Sequence, residues 1–451
     1  MLQKLIGTAV LLAVLAWCTD SAALPQAGQL PAAQQSTSQT APQAASLPAN
    51  SAANLAGAAG LSKSAGNVNS TASETGAAQP TQAVTATPPA APAAPAAAAA
   101  APSAVPEPAG SLNPLTGLPV EDPAALALSP ALVSITNFPL SARPQAGLSF
   151  SPFVFEMYVG DGMTRFLALF YGDYPVKGDD PALALSDDRI GPVRSGRLPY
   201  ESLRVLYNGF LIMASASSNV KATLGNYTNI FGSDDTDINS ALIPATRLKE
   251  IAEGNSKRLN EDALNVLNFD AVAPQAGQPA QSLWLPYSYL NQVVWRYDAA
   301  SGAYLRYQDN ADGVTFTQAT DRLNGDPLTY ENVVVLFADH TAFKETLIDI
   351  NFLYIKRMPA LLFRDGQVYK IYWSTANGDY EKQTGLVRPI RFVNADGSPF
   401  ALKPGQTWVE IVPSFTPYNE TVDSDNYAAR KTGNTPGSGN WVVHFYPPAS
   451  E

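Results

Sequence analysis

Apolar and polar positions follow four different patterns along the chain. Residues 5–17 form one apolar run, whereas residues 24–110 contain no aromatic residue and show no amphipathic period. From residue 113 onward, apolar runs of strand length alternate with segments of helical spacing, and beyond residue 281 strand-like runs prevail. The pattern predicts an apolar leader, a segment without a core of its own, a mixed α/β part and a β-rich part.

The mixed part is predicted at residues 113–270. Strand candidates lie at residues 131–136, 153–158, 164–171 and 210–213, and helix candidates at residues 198–206, 218–224, 246–252 and 261–267. Gly160 and Gly162 flank Asp161 between the second and third strands, which indicates a hairpin turn. Asn208 and Gly209 end the first helix candidate in the manner of a C-cap.

A boundary is predicted at residues 271–279, which are mostly proline, alanine, glutamine and glycine. Strand candidates beyond it lie at residues 293–297, 304–307, 331–337, 347–355, 360–363, 367–373, 387–393, 407–412 and 437–446. Asp365 and Gly366 form a strong hairpin dipeptide between two of them. The predicted fold class is α+β: a mixed α/β N-terminal domain packed on a β-rich C-terminal domain at residues 281–446, preceded by a disordered tether.

The leader at residues 1–23 is predicted to be a signal peptide. Its apolar run is too short to span a bilayer and follows Lys4, its only early charge. Cys18, the single cysteine of the chain, directly follows this run, where a lipoprotein signal places its lipidated residue. Two alternatives stay open: cleavage after Ala23, which would give a secreted protein, or an uncleaved anchor. In each case we expect an extracytoplasmic location. Because the chain has one cysteine, it cannot form an intramolecular disulfide.

Residues 24–112 form a predicted disordered linker of alanine, proline, serine, threonine and glutamine. Such a segment cannot bury enough apolar area to offset the entropy of ordering its chain. A flexible chain of this length spans about 50 Å, enough to hold a folded part away from a membrane. The composition also permits O-glycosylation of its serines and threonines.

The formal net charge of −11 lies almost wholly after residue 111. An acidic folded part argues against nonspecific binding of nucleic acid, because the phosphates would be repelled. The same charge gives no general attraction to anionic envelope polymers, so a ligand of that kind would need a local basic patch.

The candidate ligand-binding residues are four arginines beside glycine or proline or at strand edges, and one glutamate on an apolar strand. They are Arg143, Arg165, Arg194, Arg197 and Glu156. Converging guanidinium groups could bind a carboxylate or phosphate in a bidentate manner. Alternatively, the arginines pair with carboxylates and carbonyl groups and fix the loops, which is the more common role of half-buried arginine. We expect a mixed outcome, in which Arg143 or Arg194 pairs with Glu156 and Arg197 is the freer group.

Catalytic and metal-binding patterns are weak in this sequence. Ser195 and the serines near residue 215 do not lie in a Gly-x-Ser-x-Gly turn, and His340 and His444 both fall in the other predicted domain. The acidic turns at residues 234–239 and 309–313 offer oxygen ligands but lack EF-hand spacing. The sequence therefore predicts no cofactor and no resident metal.

Several ordered motifs resemble the YerB-like family of bacterial lipoproteins, which is described as a domain of unknown function (3048) with N- and C-terminal parts. They lie at residues 113–119 (NPLTGLP), 143–145 (RPQ), 164–170 (TRFLALF), 191–195 (GPVRS), 294–298 (VWRYD), 304–306 (YLR), 331–335 (ENVVV) and 404–409 (PGQTWV). The chain departs from the family at residues 213–218 (MASASS), where a glycine-rich strand end with a histidine is expected.

The functional expectation is an exported, membrane-tethered envelope protein that acts as a binding or scaffold protein. Its expected partners are the cell membrane, through a lipid anchor, and an anionic ligand or envelope polymer. The competing hypothesis is an enzyme that acts on the cell wall or another extracellular substrate. The sequence leaves the oligomeric state open.

Overall fold

The structure is a computed structural model that describes residues 110–175, 188–256 and 261–450. The predicted signal peptide, Cys18 and nearly all of the linker lie outside the described residues. Among the described helices, none is long and apolar enough to cross a membrane.

The described residues contain six α-helices and twenty-four strands. The helices are α1 (Pro199–Leu206), α2 (Ser218–Lys221), α3 (Ala245–Asn255), α4 (Glu261–Leu264), α5 (Asp379–Thr384) and α6 (Tyr427–Thr432). The first twelve strands are β1 (Ala131–Thr136), β2 (Phe153–Gly160), β3 (Met163–Phe170), β4 (Arg189–Ile190), β5 (Phe210–Met213), β6 (Tyr227–Asn229), β7 (Ile243–Pro244), β8 (Asn268–Phe269), β9 (Gln278–Pro279), β10 (Ser282–Ser288), β11 (Asn291–Asp298) and β12 (Ala303–Asp309). The other twelve are β13 (Phe316–Gln318), β14 (Thr329–Tyr330), β15 (Asn332–Ala338), β16 (His340–Lys344), β17 (Leu347–Ile350), β18 (Met358–Arg364), β19 (Gln367–Ser374), β20 (Arg391–Val393), β21 (Ala401–Leu402), β22 (Thr407–Pro413), β23 (Tyr418–Glu420) and β24 (Asn440–Val443).

An eleven-stranded sheet, here called the large sheet, contains strands from both sides of the predicted boundary. Its order is β20-β19-β18-β15-β22-β2-β3-β1-β5-β6, with β9 paired to β19. At its centre β22 is parallel both to β2 and to β15. All residues of β2 and β22 are buried, which explains their nearly continuous apolar sequences. The two predicted domains therefore share one sheet, while their exact boundaries stay a prediction.

A second, seven-stranded sheet has the order β13-β12-β11-β10-β24-β23, with β14 paired to β12. It packs on one face of the large sheet, where the ring of Trp408 in β22 lies 5.4 Å from that of Trp295 and 5.2 Å from that of Tyr330. On the opposite face, Phe155 of β2 joins the apolar cluster that includes Leu203 of α1. Successive residues of β2 thus alternate between two cores.

The described residues form many strands and few helices, which agrees with the predicted α+β class. Both predicted hairpins are present, joining β2 to β3 and β18 to β19. The predicted strand at residues 347–355 ends early, at Ile350. Beyond that point the backbone bonds to the side chain of Thr375 instead of to a partner strand. Its hydroxyl donates to the carbonyl of Phe352 at 2.5 Å and accepts the backbone N–H of Ile355 at 3.0 Å. The predicted strand at residues 387–393 is likewise shortened to β20.

Candidate functional site

Two glutamates face each other in the centre of the large sheet. Glu156 of β2 and Glu410 of β22 are register partners, and both are fully buried. One Oε of Glu156 accepts a hydrogen bond from Nη2 of Arg306 at 2.6 Å, and the other accepts one from the hydroxyl of Thr164, also at 2.6 Å. Arg306 comes from β12 in the second sheet and is itself 2 % exposed. A buried ion pair therefore connects the two sheets.

Glu410 lies in a less charged environment than Glu156. Its carboxyl accepts hydrogen bonds from Nε1 of Trp295 at 2.9 Å and from the hydroxyl of Tyr287 at 2.7 Å. Burial, and then the charge of Glu156, raise the pKa of Glu410 to about 8, although Arg306 and the two donors oppose the shift. With one cation for two buried carboxyl groups, Glu410 holds a proton near neutral pH.

Aromatic rings surround the guanidinium group of Arg306. The Cζ atom lies 4.7 Å from the ring centroid of Trp408 and 5.2 Å from that of Phe166. Nη1 donates to the side-chain carbonyl of Gln308, whose amide donates to that of Asn291 at 3.0 Å. These contacts fix the orientation of Arg306 but leave its Nε buried and without a partner among the described residues.

A cavity of about 310 Å³ adjoins this group and is here called the arginine cavity. The residues that line it are Asn137, Leu140, Arg143, Pro144, Gln145, Arg306, Gln308, Asn310, Thr317, Gln318, Ala319 and Thr320. In this set of described residues, the two arginines are the only charged side chains. Amide groups supply most of the remaining polar atoms.

Arg143 is the second cation of the cavity. Its Nε donates to the carbonyl of Asn137 at 3.1 Å and its Nη1 to the carbonyl of Asp309 at 2.6 Å, while Nη2 is buried and has no partner in the described part of the chain. Burial, and then the charge of Arg306, lower the pKa of Arg143 to about 10. The guanidinium also lies 4.8 Å from the ring centroid of Phe138.

The segment that carries Arg143 is fixed against the second sheet by Asp321. This buried carboxylate accepts the backbone N–H groups of Gly147 at 2.9 Å and Ser149 at 2.8 Å. The N–H of Arg322 also donates to the carbonyl of Gln145 at 2.7 Å. Asp321 therefore helps to position one wall of the arginine cavity.

The other predicted site arginines gather around residues 193–197 and do not line the arginine cavity. Arg165 donates to the carbonyl of Ser195 at 3.0 Å, and Arg197 to the carbonyl of Gly196 at 3.1 Å; each has a buried Nε without a partner in the described ranges. Arg194 donates to the carbonyl of Ile238 and, at 2.9 Å, to the side chain of Asn239. Burial, and then Arg197, lower the pKa of Arg165 to about 10.

The expectation that Arg143 or Arg194 pairs with Glu156 is wrong, since its partner is Arg306. The side chain of Glu156 lies on the face of β2 that packs on the second sheet. The four predicted site arginines all precede that sheet in sequence. Sequence reasoning missed both Arg306 and Glu410. A signal was available, because Glu410 interrupts an apolar strand in the same way as Glu156. The relative freedom of Arg197 stays a prediction.

No group of three or more histidine, cysteine or carboxylate side chains that could hold a metal occurs in the part of the chain that the structure describes. In the acidic turn at residues 309–313, the carboxylates accept hydrogen bonds from the turn itself. Asp309 accepts the N–H groups of Asp312 and Gly313, and Asp312 accepts those of Val314 and Thr315. The acidic residues of this segment therefore have a structural role, because their carboxylates stabilise the turn.

Known proteins are similar to this chain over most of its described residues. Residues 115–250 match the family described as "Protein of unknown function (DUF3048) N-terminal domain", and residues 283–409 match the corresponding C-terminal domain. The curated protein named "Putative lipoprotein YerB", from Bacillus subtilis (strain 168), is 27% identical over 329 residues, which cover 68% of this chain and 88% of that protein. A crystal structure of the YerB protein from Bacillus subtilis matches with a TM-score of 0.52 and 26% identity, covering 67% of this chain and 97% of that one.

Proposed function

The chain belongs to the YerB-like family, with both DUF3048 domains present, and we propose that it is an envelope binding protein for a small anionic ligand. This membership confirms the resemblance drawn from its motifs. The lipoprotein name of the Bacillus subtilis relative supports an extracytoplasmic, envelope-associated protein. In this proposal the ligand binds in the arginine cavity.

The observation that supports the ligand is the pair of guanidinium groups in one cavity. Arg306 is neutralised by Glu156, but Arg143 has no ion-pair partner among the described residues and retains a buried, unpaired nitrogen. A buried donor without an acceptor is costly, and a bound carboxylate or phosphate would satisfy it. The volume of about 310 Å³ is at the lower end of the range for small-molecule sites.

The same lining favours binding over catalysis. Among the described residues that line the cavity, none is a histidine, lysine, cysteine or carboxylate. The hydroxyl groups of Thr317 and Thr320 therefore have no general base beside them in that lining, and an activated nucleophile requires one. The alternative of a cell-wall enzyme is supported only by the envelope location.

Replacing Arg143 with glutamine tests the proposed ligand class. We expect phosphate or citrate to raise the melting temperature of the unmodified protein, and the replacement to weaken anion binding by about tenfold or more. One charge-assisted hydrogen bond contributes about 1.5–3 kcal/mol, and 1.4 kcal/mol is a factor of ten in affinity. Isothermal titration calorimetry gives the affinities, and thermal melts give the stabilisation.

Arg194→Gln is the matched control for this experiment. Arg194 also donates to a backbone carbonyl and an amide side chain, but it lies outside the arginine cavity. The control should bind the anion as the unmodified protein does. Equal losses in both variants, or melts that no anion shifts, would contradict an anion site at Arg143.

Membrane attachment is a separate part of the proposal and rests on Cys18. A diacylglyceryl thioether at this residue would anchor the chain, and the linker at residues 24–112 would hold the folded part away from the bilayer. We expect the unmodified protein to fractionate with membranes and Cys18→Ser to be released in soluble form. A Cys18→Ser protein that stays in the membrane fraction would instead support an uncleaved leader.

A further inference from the structure

A second concave surface, here called the edge cleft, lies beside β20 at one edge of the large sheet. It has a volume of about 620 Å³, and its charged lining residues are Lys356, Arg357 and Arg391. Phe392 and Val393 of β20 supply apolar lining. Among its described lining residues there is no carboxylate, although the whole chain has a net charge of −11. The edge cleft is therefore a local reversal of the overall charge.

Arg391 is held in place by a buried carboxylate behind the cleft. Its Nη1 donates to Oε1 of Glu381 at 2.7 Å, and its Nη2 donates to the carbonyl of Ala376 at 2.5 Å. Nε of Arg388 donates to the same Glu381 oxygen, also at 2.7 Å. Burial raises the pKa of Glu381, but the hydrogen bonds from Arg388 and Arg391 outweigh it and lower the pKa to about 2. Two arginines thus share one carboxylate, and a positive charge remains in excess.

The other two cations of the cleft are exposed. The guanidinium of Arg357 lies 4.8 Å from the ring centroid of Tyr372 and donates to the carbonyl of Ala395. Lys356 has no hydrogen-bond or ion-pair partner within the described ranges. Asp396 precedes Gly397 of the cleft lining, and its carboxylate accepts hydrogen bonds from Ser398 at 2.6 and 2.9 Å. Two oriented guanidinium groups and one free ammonium therefore surround a partly apolar surface.

We propose that the edge cleft is a second binding site, which takes the phosphate group of an organic phosphate. A phosphate presents several acceptor oxygens, so it can contact two guanidinium groups and an ammonium at once, which a single carboxylate cannot do as fully. The apolar residues would contact the carbon part of the ligand. A lipid headgroup and a soluble phosphate ester share this chemistry.

Titration calorimetry on the purified protein with three probes tests the site. The probes are inorganic phosphate, glycerol 3-phosphate, and dihexanoyl phosphatidylglycerol below its micelle concentration, with dihexanoyl phosphatidylcholine as the zwitterionic comparison. We expect the organic phosphates to bind more tightly than inorganic phosphate. Tighter binding of phosphatidylglycerol than of glycerol phosphate would assign the lipid headgroup, and the reverse order would assign a soluble ester.

The Lys356→Gln/Arg357→Gln double variant removes two exposed cations without touching a buried contact. We expect it to bind the organic phosphates at least about tenfold more weakly, since two charge-assisted contacts are lost. Arg247→Gln is the matched control, because Arg247 is an exposed arginine on α3 outside the cleft. Arg143→Gln should also keep this binding, which separates the edge cleft from the arginine cavity.

Four results would overturn the proposal. The double variant could bind as the unmodified protein does, or Arg247→Gln could lose as much affinity, which would indicate a general charge effect. The third such result is that none of the three probes binds at millimolar concentration. A loss of binding in Arg143→Gln alone would assign the phosphate to the arginine cavity instead.

Discussion

Replacing Arg306 with methionine is expected to lower the free energy of unfolding by about 3–5 kcal/mol, because it leaves buried Glu156 without its cation. Glu410, opposite Glu156 in the sheet, would also lose the cation that lowers its pKa, and so would keep its proton. Methionine keeps much of the side-chain volume between the aromatic rings, so the loss would come mainly from charge. Chemical denaturation of both proteins at neutral pH measures the difference.

Two further variants make this experiment specific. Arg296→Met, on the neighbouring strand β11, removes an exposed arginine and should change stability by less than about 0.5 kcal/mol. Adding Glu156→Gln to Arg306→Met removes the stranded charge and should restore part of the loss. If Arg306→Met alone unfolds no more easily than Arg296→Met, the buried pair does not hold the two sheets together.

The stability of the protein is expected to fall as the pH rises from about 4.5 to 8, through the protonation of Glu410. The pKa of this carboxyl is about 8 in the folded protein, against an ordinary value of 4.5 for a glutamate side chain. Between these values the folded chain retains a proton that the unfolded chain releases, so the contribution is complete below pH 4.5 and is lost as the pH passes 8. One proton corresponds to a slope of at most about 1.4 kcal/mol per pH unit.

Glu410→Gln is the variant that isolates this effect. Its side chain is neutral at every pH, so the slope from Glu410 should disappear. The glutamine carbonyl can accept from Trp295, and its amide N–H can donate to the hydroxyl of Tyr287. At pH 8 the variant should be more stable than the unmodified protein, whereas near pH 5 the two should be similar. The exposed Glu250→Gln serves as control and should leave the slope unchanged. Parallel curves for the unmodified protein and Glu410→Gln would contradict a protonated Glu410.

Local features of the fold could be predicted from the sequence, but the arrangement of the sheets could not. The hairpin at Asp365 and Gly366 follows from two adjacent residues with positive φ, 53° and 69°, which this dipeptide adopts readily. The parallel pairing of β2 with β22 has no comparable local signal. Apart from one glutamate in each, both strands are mostly apolar on both faces, so either could have paired with any other buried strand.

The candidate site was predictable only in part, for a related reason. Arg143 and Glu156 stood out as charged residues in apolar or turn-forming surroundings, and both lie at or beside the arginine cavity. Arg306 lies in a strand of alternating character, where an arginine is ordinarily solvent-exposed. Its burial depends on the second sheet packing over β2, which only the tertiary structure reveals.

The parallel pairing at the centre of the large sheet also has a consequence for biosynthesis. A ribosome or an export channel delivers the chain from its N-terminus, so β2 and β3 emerge early, whereas β22 is among the last strands. Until then the fully buried strand β2 has an open, apolar edge, which is a template for aggregation. The pairing of β2 with β22 therefore cannot form until nearly all of the chain has been delivered, and we expect a chain that is truncated before β22 to aggregate rather than fold.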